Sequence, residues 1–145
     1  MARIHILVVD DLADAADIMV DLLAIWGYDA IACYCGQSAL KSAGLQRPAL
    51  VLLDLAMPGM DGFQFTRLFQ ELLGCKSVPI IAMTGYSSLT FRTLARELKI
   101  RHYLIKPADP DLLKDLLSNE IKIPISTGPL ERIFAPLPHG LQRMI

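Results

Sequence analysis

Three carboxylates, a hydroxyl and an ammonium stand at the ends of short apolar runs in this chain. Asp10 and Asp11 follow the run at residues 4–9, Asp54 follows 50–53, Thr84 follows 78–83, and Lys106 follows 103–105. If these run ends share one edge of the folded chain, three acids crowd together and repel unless a cation neutralises them. A hard divalent ion with oxygen ligands does so, and magnesium, which keeps several waters and shares its shell with phosphate, suits such a site. A carboxylate is ionised at neutral pH and needs no general base to attack phosphorus, which makes Asp54 the candidate nucleophile. Phosphoryl transfer otherwise demands cations and donors held in place, and Lys106 and Thr84 supply both. Each residue alone has a plainer reading: a capped helix start, a hydroxyl bonded to backbone, a solvated charge. Their joint placement favours chemistry.

The elements that must position these groups follow from periodicity. Apolar runs at 4–9, 28–33, 50–53, 78–83 and 103–105 read as strands. Segments of helical period lie between and after them. In the first helix Ile18, Leu22 and Ile25 mark one face, and Asp14, Asp17 and Asp21 mark another. A second helix is expected over 36–43, ending near Gly44, and a third over 61–73, ending at Gly74, with glycine at each C-terminus. Ser87 or Ser88 caps a fourth helix that runs to about Leu98. Asp109 caps a fifth, with Pro110 at its first position and a buried face of Leu112, Leu113, Leu116 and Leu117. Five β/α repeats form a parallel sheet covered on both sides, and such sheets bind ligands beyond the carboxyl ends of their strands. Trp26, Phe63, Phe65, Phe69 and Phe91 are expected to pack on helix faces, and the three cysteines, Cys33, Cys35 and Cys75, without a CxxC pair, read as reduced packing residues. His5, His102 and His139 show no metal-ligand spacing.

The motifs resemble those of the receiver domain of two-component response regulators. The resemblance spans about residues 4–120 and rests on Asp10-Asp11, on Leu50-Val51-Leu52-Leu53-Asp54-Leu55-Ala56-Met57-Pro58-Gly59-Met60-Asp61-Gly62, on Met83-Thr84-Gly85, and on Tyr103-Leu104-Ile105-Lys106-Pro107. It implies a flavodoxin-like, doubly wound sheet of order 2-1-3-4-5 with five helices. It further implies that Asp54 takes a phosphoryl group from a histidine kinase or histidine phosphotransfer protein. Asp10, Asp11, Asp54 and the backbone carbonyl of Ala56 would then hold Mg2+. Thr84 and Lys106 would engage the phosphoryl group, Tyr103 would act as the switch residue, and the Lys106–Pro107 bond would be cis. Residues 98–102 lack the small residue and glycine common in this family before the fifth strand, so a different turn is expected there.

At 145 residues the chain is sized for one domain, read as a receiver over 1–121 followed by a Pro-rich tail over 122–145. A net charge of −1 gives no reason for nucleic acid to bind. No apolar run is long enough to span a bilayer, and the N-terminus has no signal-peptide pattern, so the expected compartment is the cytoplasm. The downstream partner is unknown, and the face of the fourth helix and fifth strand or the tail leaves room for a homodimer. Two other functions are open to such a fold. A phosphorylation-independent adaptor would not need the five rim residues, and a magnesium-dependent aspartyl-phosphate hydrolase would carry a second acid where Ala56 stands.

Overall fold

A computed structural model describes residues 3–85 and 88–121. The tail at 122–145, with His139 in it, and Tyr86 and Ser87 lie outside the described residues. The elements alternate as β1 (His5–Val9), α1 (Ala13–Ile25), β2 (Asp29–Cys33), α2 (Gly36–Leu45), β3 (Leu50–Leu53), α3 (Gly62–Glu71), β4 (Ile80–Thr84), α4 (Leu89–Glu97), β5 (His102–Ile105) and α5 (Pro110–Glu120). All neighbouring strands pair in parallel, in the order β2-β1-β3-β4-β5. The switch of direction between β1 and β3 opens a crevice where Asp10 and Asp54 leave their strands.

Side-chain alternation along each strand divides the interior into two cores. Leu7, Val9, Val51, Leu53 and Ala82 face α2, α3 and α4 through Ala39, Ala43, Phe63, Phe65, Phe69 and Ala95. Ile6, Val8, Leu50, Leu52, Ile81 and Met83 face α1 and α5 through Ala16, Leu23, Leu113 and Leu117. Central strands buried on both faces account for the unbroken apolar runs in the sequence. Burying a side chain such as Phe65 or Leu23 stabilises the fold by about 1.5–3 kcal/mol.

The helix starts are set locally. Asp61 accepts the Gln64 amide N–H at 2.9 Å while the Gln64 side chain takes the Asp61 N–H at 3.1 Å, a reciprocal cap at the start of α3. Ser88 caps α4 through the Phe91 N–H at 3.0 Å. Asp109 caps α5, with Pro110 at the first position.

Several expectations need correction. Ile18 and Ile25 are 68% and 79% exposed, so α1 packs through Ala16, Met19, Val20 and Leu23 instead. Leu112 is also exposed, leaving Leu113 and Leu117 as the buried pair of α5. Gly44 lies inside α2, which continues to Leu45, and α3 stops at Glu71, before Gly74. Cys35 is exposed and Cys33 and Cys75 are buried, so only two of the three thiols serve as packing.

The turn before β5 is the unusual one. Lys99 adopts φ 63°, its N–H bonds to the Arg96 carbonyl, and the Ile100 N–H reaches back to that of Ala95. This left-handed helix ending is one that glycine normally occupies. Gly27 closes α1 in the same way, at φ 97°.

Candidate functional site

The carboxyl ends of β1 and β3 are held side by side by the ladder itself. The Asp54 amide donates to the Val9 carbonyl at 2.9 Å, and the Asp10 amide donates to the Cys33 carbonyl at 3.1 Å. Each acid then folds back on its own loop. Asp10 Oδ1 accepts the Leu12 N–H and Asp54 Oδ1 accepts the Ala56 N–H, both at 3.0 Å. These short turns stop each strand and leave the second oxygen, Oδ2, aimed at the crevice.

Lys106 closes the group. Its Nζ lies 2.6 Å from Asp10 Oδ2 and 3.3 Å from Asp54 Oδ2. The Lys106 N–H donates to the Thr84 carbonyl at 2.9 Å, which fixes the end of β5 against the end of β4. The Lys106–Pro107 bond is cis, as the resemblance implied. Thr84 is fully buried at the end of β4, the strand between those that carry Asp54 and Lys106.

Asp10, Asp11 and Asp54 each offer a carboxylate oxygen, and these atoms lie within 4.8 Å of one another. One ammonium against three carboxylates leaves two negative charges. This excess, presented by hard oxygen donors, fits a divalent cation. Burial pushes the Asp54 carboxyl above its ordinary range and the Asp10 charge adds to that, while the Ala56 N–H and Lys106 pull it down. Burial tends to lower the Lys106 ammonium, but bonding to Asp10 and the charges of Asp54 and Asp10 outweigh it and hold the group above its usual value.

Tyr103 is held by different contacts. Its ring packs against the α2–α4 core and lies 4.8 Å from the Arg92 guanidinium carbon, and burial raises its phenol. Gly62 packs against the loop that follows β3. A Cβ there would meet Leu55 Cα at 2.6 Å and the Asp54 carbonyl oxygen at 2.8 Å, so only glycine lets α3 approach this closely. Beside the acids, a groove of about 500 Å3 is lined by Leu12, Ala15, Ile18, Met19, Pro107 and Ala108 among others. It contains Ile18, the residue that hydrophobic periodicity had placed on a helix face without regard to what that face meets.

The structure thus brings Asp10, Asp11, Asp54 and Lys106 into contact range and ends β4 beside them at Thr84. Ala56 contributes an N–H to Asp54 and no acid. Sequence reasoning did not find the direct Lys106–Asp10 pair, because nothing in the spacing of residues 96 apart distinguishes it from a Lys106–Asp54 pair.

Comparison with known proteins agrees with this geometry. The family model for the response regulator receiver domain matches residues 6–118. A probable transcriptional regulator, ycf27, of Porphyridium aerugineum is 39% identical over 114 residues, covering 79% of this chain and 46% of that protein. The transcriptional regulatory protein ZraR of Salmonella typhimurium is 35% identical over 126 residues, covering 87% of this chain and 28% of that protein. The chain therefore spans less than half the length of either relative. Among solved structures, the receiver domain of the sensor histidine kinase PA1611 of Pseudomonas aeruginosa superposes with a TM-score of 0.76 at 28% identity. The match covers 85% of this chain and all of that domain, which was crystallised with a magnesium ion coordinated in its active-site cleft. With the family model covering most of its length and the strand order and acidic crevice in place, this chain belongs to the response regulator receiver domain family.

Proposed function

We propose that Asp54 is the phosphoacceptor of a signalling domain and that it takes its phosphoryl group from a phosphohistidine on a histidine kinase or phosphotransfer protein. The observation that carries this reading is the cluster of three carboxylates at the strand ends, two of them, Asp10 and Asp54, paired with one lysine. In the transfer an Asp54 oxygen forms a bond to phosphorus as the phosphorus–nitrogen bond breaks, and the imidazole departs with the electron pair and is protonated. Asp54 needs no base, since its carboxylate is the nucleophile.

Asp10, Asp11, Asp54 and the Ala56 carbonyl would hold Mg2+, which when bound supplies positive charge to the phosphoryl oxygens. The chain's own residues do the rest. The Ala56 N–H orients the Asp54 carboxylate, and Lys106, anchored on Asp10, offers a charge-assisted donor to the incoming group. Thr84 would bond the phosphoryl group once formed. Tyr103 would follow Thr84 and change the α4–β5 surface that an unidentified downstream partner reads, a shift between two populated states. The chain catalyses only its own phosphorylation and dephosphorylation. A cytoplasmic setting accords with this role, and among the described residues no helix is long and apolar enough to cross a membrane.

The test uses acetyl phosphate with magnesium and intact mass measured under mild conditions. One added phosphoryl group is expected on the wild-type chain and none on Asp54→Asn. Modification that survives the substitution would reassign the acceptor.

A further inference from the structure

The edge of the sheet opposite the acidic crevice carries the reverse charge. There, where β4 begins at Ile80 and just before β5, a cleft of about 620 Å3 is lined by Arg47, Lys76, Lys99 and Arg101, and among the described residues no acid lines it. The chain as a whole has fifteen acidic side chains against fourteen basic ones, so four cations around one cleft do not reflect a generally basic surface. An adjoining groove shares Lys99 and Arg101 and adds Arg92 and Arg96, again with no acid among its described lining residues. The cleft has the size of small-molecule sites, about 300–1,000 Å3.

Local structure holds two of these cations in place. Arg47 Nη1 donates to the Gly74 carbonyl at 3.0 Å, and Gly74, at φ 80°, leaves room for it, since a Cβ there would lie 3.2 Å from that nitrogen. Arg101 donates from Nη1 to Glu120 at 2.9 Å and from its backbone N–H to the Ile80 carbonyl at 3.1 Å. Gln70 ties α3 to the end of α4 through the Leu98 carbonyl at 2.8 Å. Lys76 and Lys99 are exposed, and neither forms an ion pair among the described residues. Lys99 stands in the left-handed region at φ 63°, where glycine is the usual occupant and a side chain is strained. Balancing the end of α4 does not require a cation there, because Arg96 already lies in its last turn. Strain kept at a lysine that lines an acid-free cleft points to a residue retained for what it binds.

We propose that this cleft binds a polyphosphate anion, either an inorganic chain or the phosphate tail of a nucleotide. Lys76 and Lys99 supply ammonium charge. The guanidinium groups of Arg47 and Arg101 each use one N–H within the protein and keep others to donate to phosphate oxygens. Val78, Pro79 and Leu98, also in the lining, form an apolar wall on which a nucleotide base can rest. The proposal does not depend on Asp54 accepting phosphate, since the cleft and the crevice lie at opposite edges of the sheet.

The isotopically labelled full chain is titrated by NMR with inorganic tripolyphosphate and, separately, with ATP. A chelator keeps divalent cations out of the acidic crevice, and orthophosphate at matched ionic strength is the control. Saturable shifts are expected at the amides of Lys76, Ser77, Lys99 and Arg101, with orthophosphate about tenfold weaker because it meets fewer of the cations. Equal affinity for both polyphosphates would show that the phosphate chain alone is read, and tighter ATP that the apolar wall takes the base. Lys99→Gly should weaken binding about fivefold while unfolding at higher urea, so that loss of fold does not explain the result, and Lys99→Arg should bind as the wild type does. Shifts confined to other residues, orthophosphate bound as tightly as tripolyphosphate, or a Lys99→Gly chain that binds as well as wild type would overturn the site.

Discussion

Replacing Asp54 by asparagine should stabilise this protein even as it removes the proposed acceptor. One carboxylate oxygen each of Asp10, Asp11 and Asp54 lies within 4.8 Å of the others. At an effective dielectric of about 20, each pair then repels by at least about 3.5 kcal/mol. Against this, Lys106 Nζ is 3.3 Å from Asp54 Oδ2, an attraction of about 5 kcal/mol on the same footing. Two repulsions thus exceed one attraction by about 2 kcal/mol, and Lys106 keeps its shorter contact with Asp10 in the variant. Partial exposure of Asp11 and Lys106 weakens every one of these figures. A gain of about 1–2 kcal/mol in metal-free buffer at neutral pH is therefore expected. For a domain of this size that is about 3–8 °C in Tm.

The pH dependence fixes the cause. Because burial and the Asp10 charge raise the Asp54 carboxyl in the folded state, the folded chain holds this proton more tightly than the unfolded one. Stability from this group is fully present below the ordinary aspartate value and is lost as pH rises through the raised one. The variant has no such loss, so its advantage should grow as pH rises from the ordinary aspartate value through the raised one, level off above it, and fade at the acid end. Urea unfolding of both proteins across that range, with a chelator, measures this directly. Saturating magnesium should narrow the gap, because the wild type gains more from the cation. A variant no more stable than wild type at neutral pH without metal, or a gap that ignores pH, would refute the electrostatic reasoning.

Two further substitutions probe how the crevice and the β5 turn are built. Lys99→Gly relieves a left-handed non-glycine residue at φ 63° and should stabilise the chain by about 1 kcal/mol in urea unfolding. Gly62→Ala drives a methyl into Leu55 and the Asp54 carbonyl. It should destabilise by about 1–3 kcal/mol and also slow acetyl phosphate labelling, whereas a merely local packing defect would lower stability and leave the labelling rate unchanged.

Much of this architecture is legible in the order of residues. Short runs such as Leu50–Leu53, apolar without alternation, identify strands buried on both faces, and the helical period between them requires parallel pairing. Acids, hydroxyl and ammonium at the run ends follow from the same reading, because a strand end is a property of the local sequence. Which helix faces meet the sheet is not local. Ile18 and Ile25 belong to a correct helical period yet remain exposed, since the approach of α1 to the sheet selects Ala16 and Leu23. Leu112 is left out for the same reason, and Cys35 is exposed because the strand ends one residue pair before it.

Composition and spacing by themselves determined that five strands and five helices alternate and that five chemically apt groups end the strands. Tertiary structure decided which oxygen faces which cation. Lys106 sits closer to Asp10 than to Asp54, Gly62 must be bare because α3 lies against the loop after β3, and Lys99 turns left-handed where α4 ends before β5. The physical reason is one of range. Backbone propensity and hydrophobic period act over a few residues, whereas ångström-scale charge separations arise only when segments far apart in the chain are packed together.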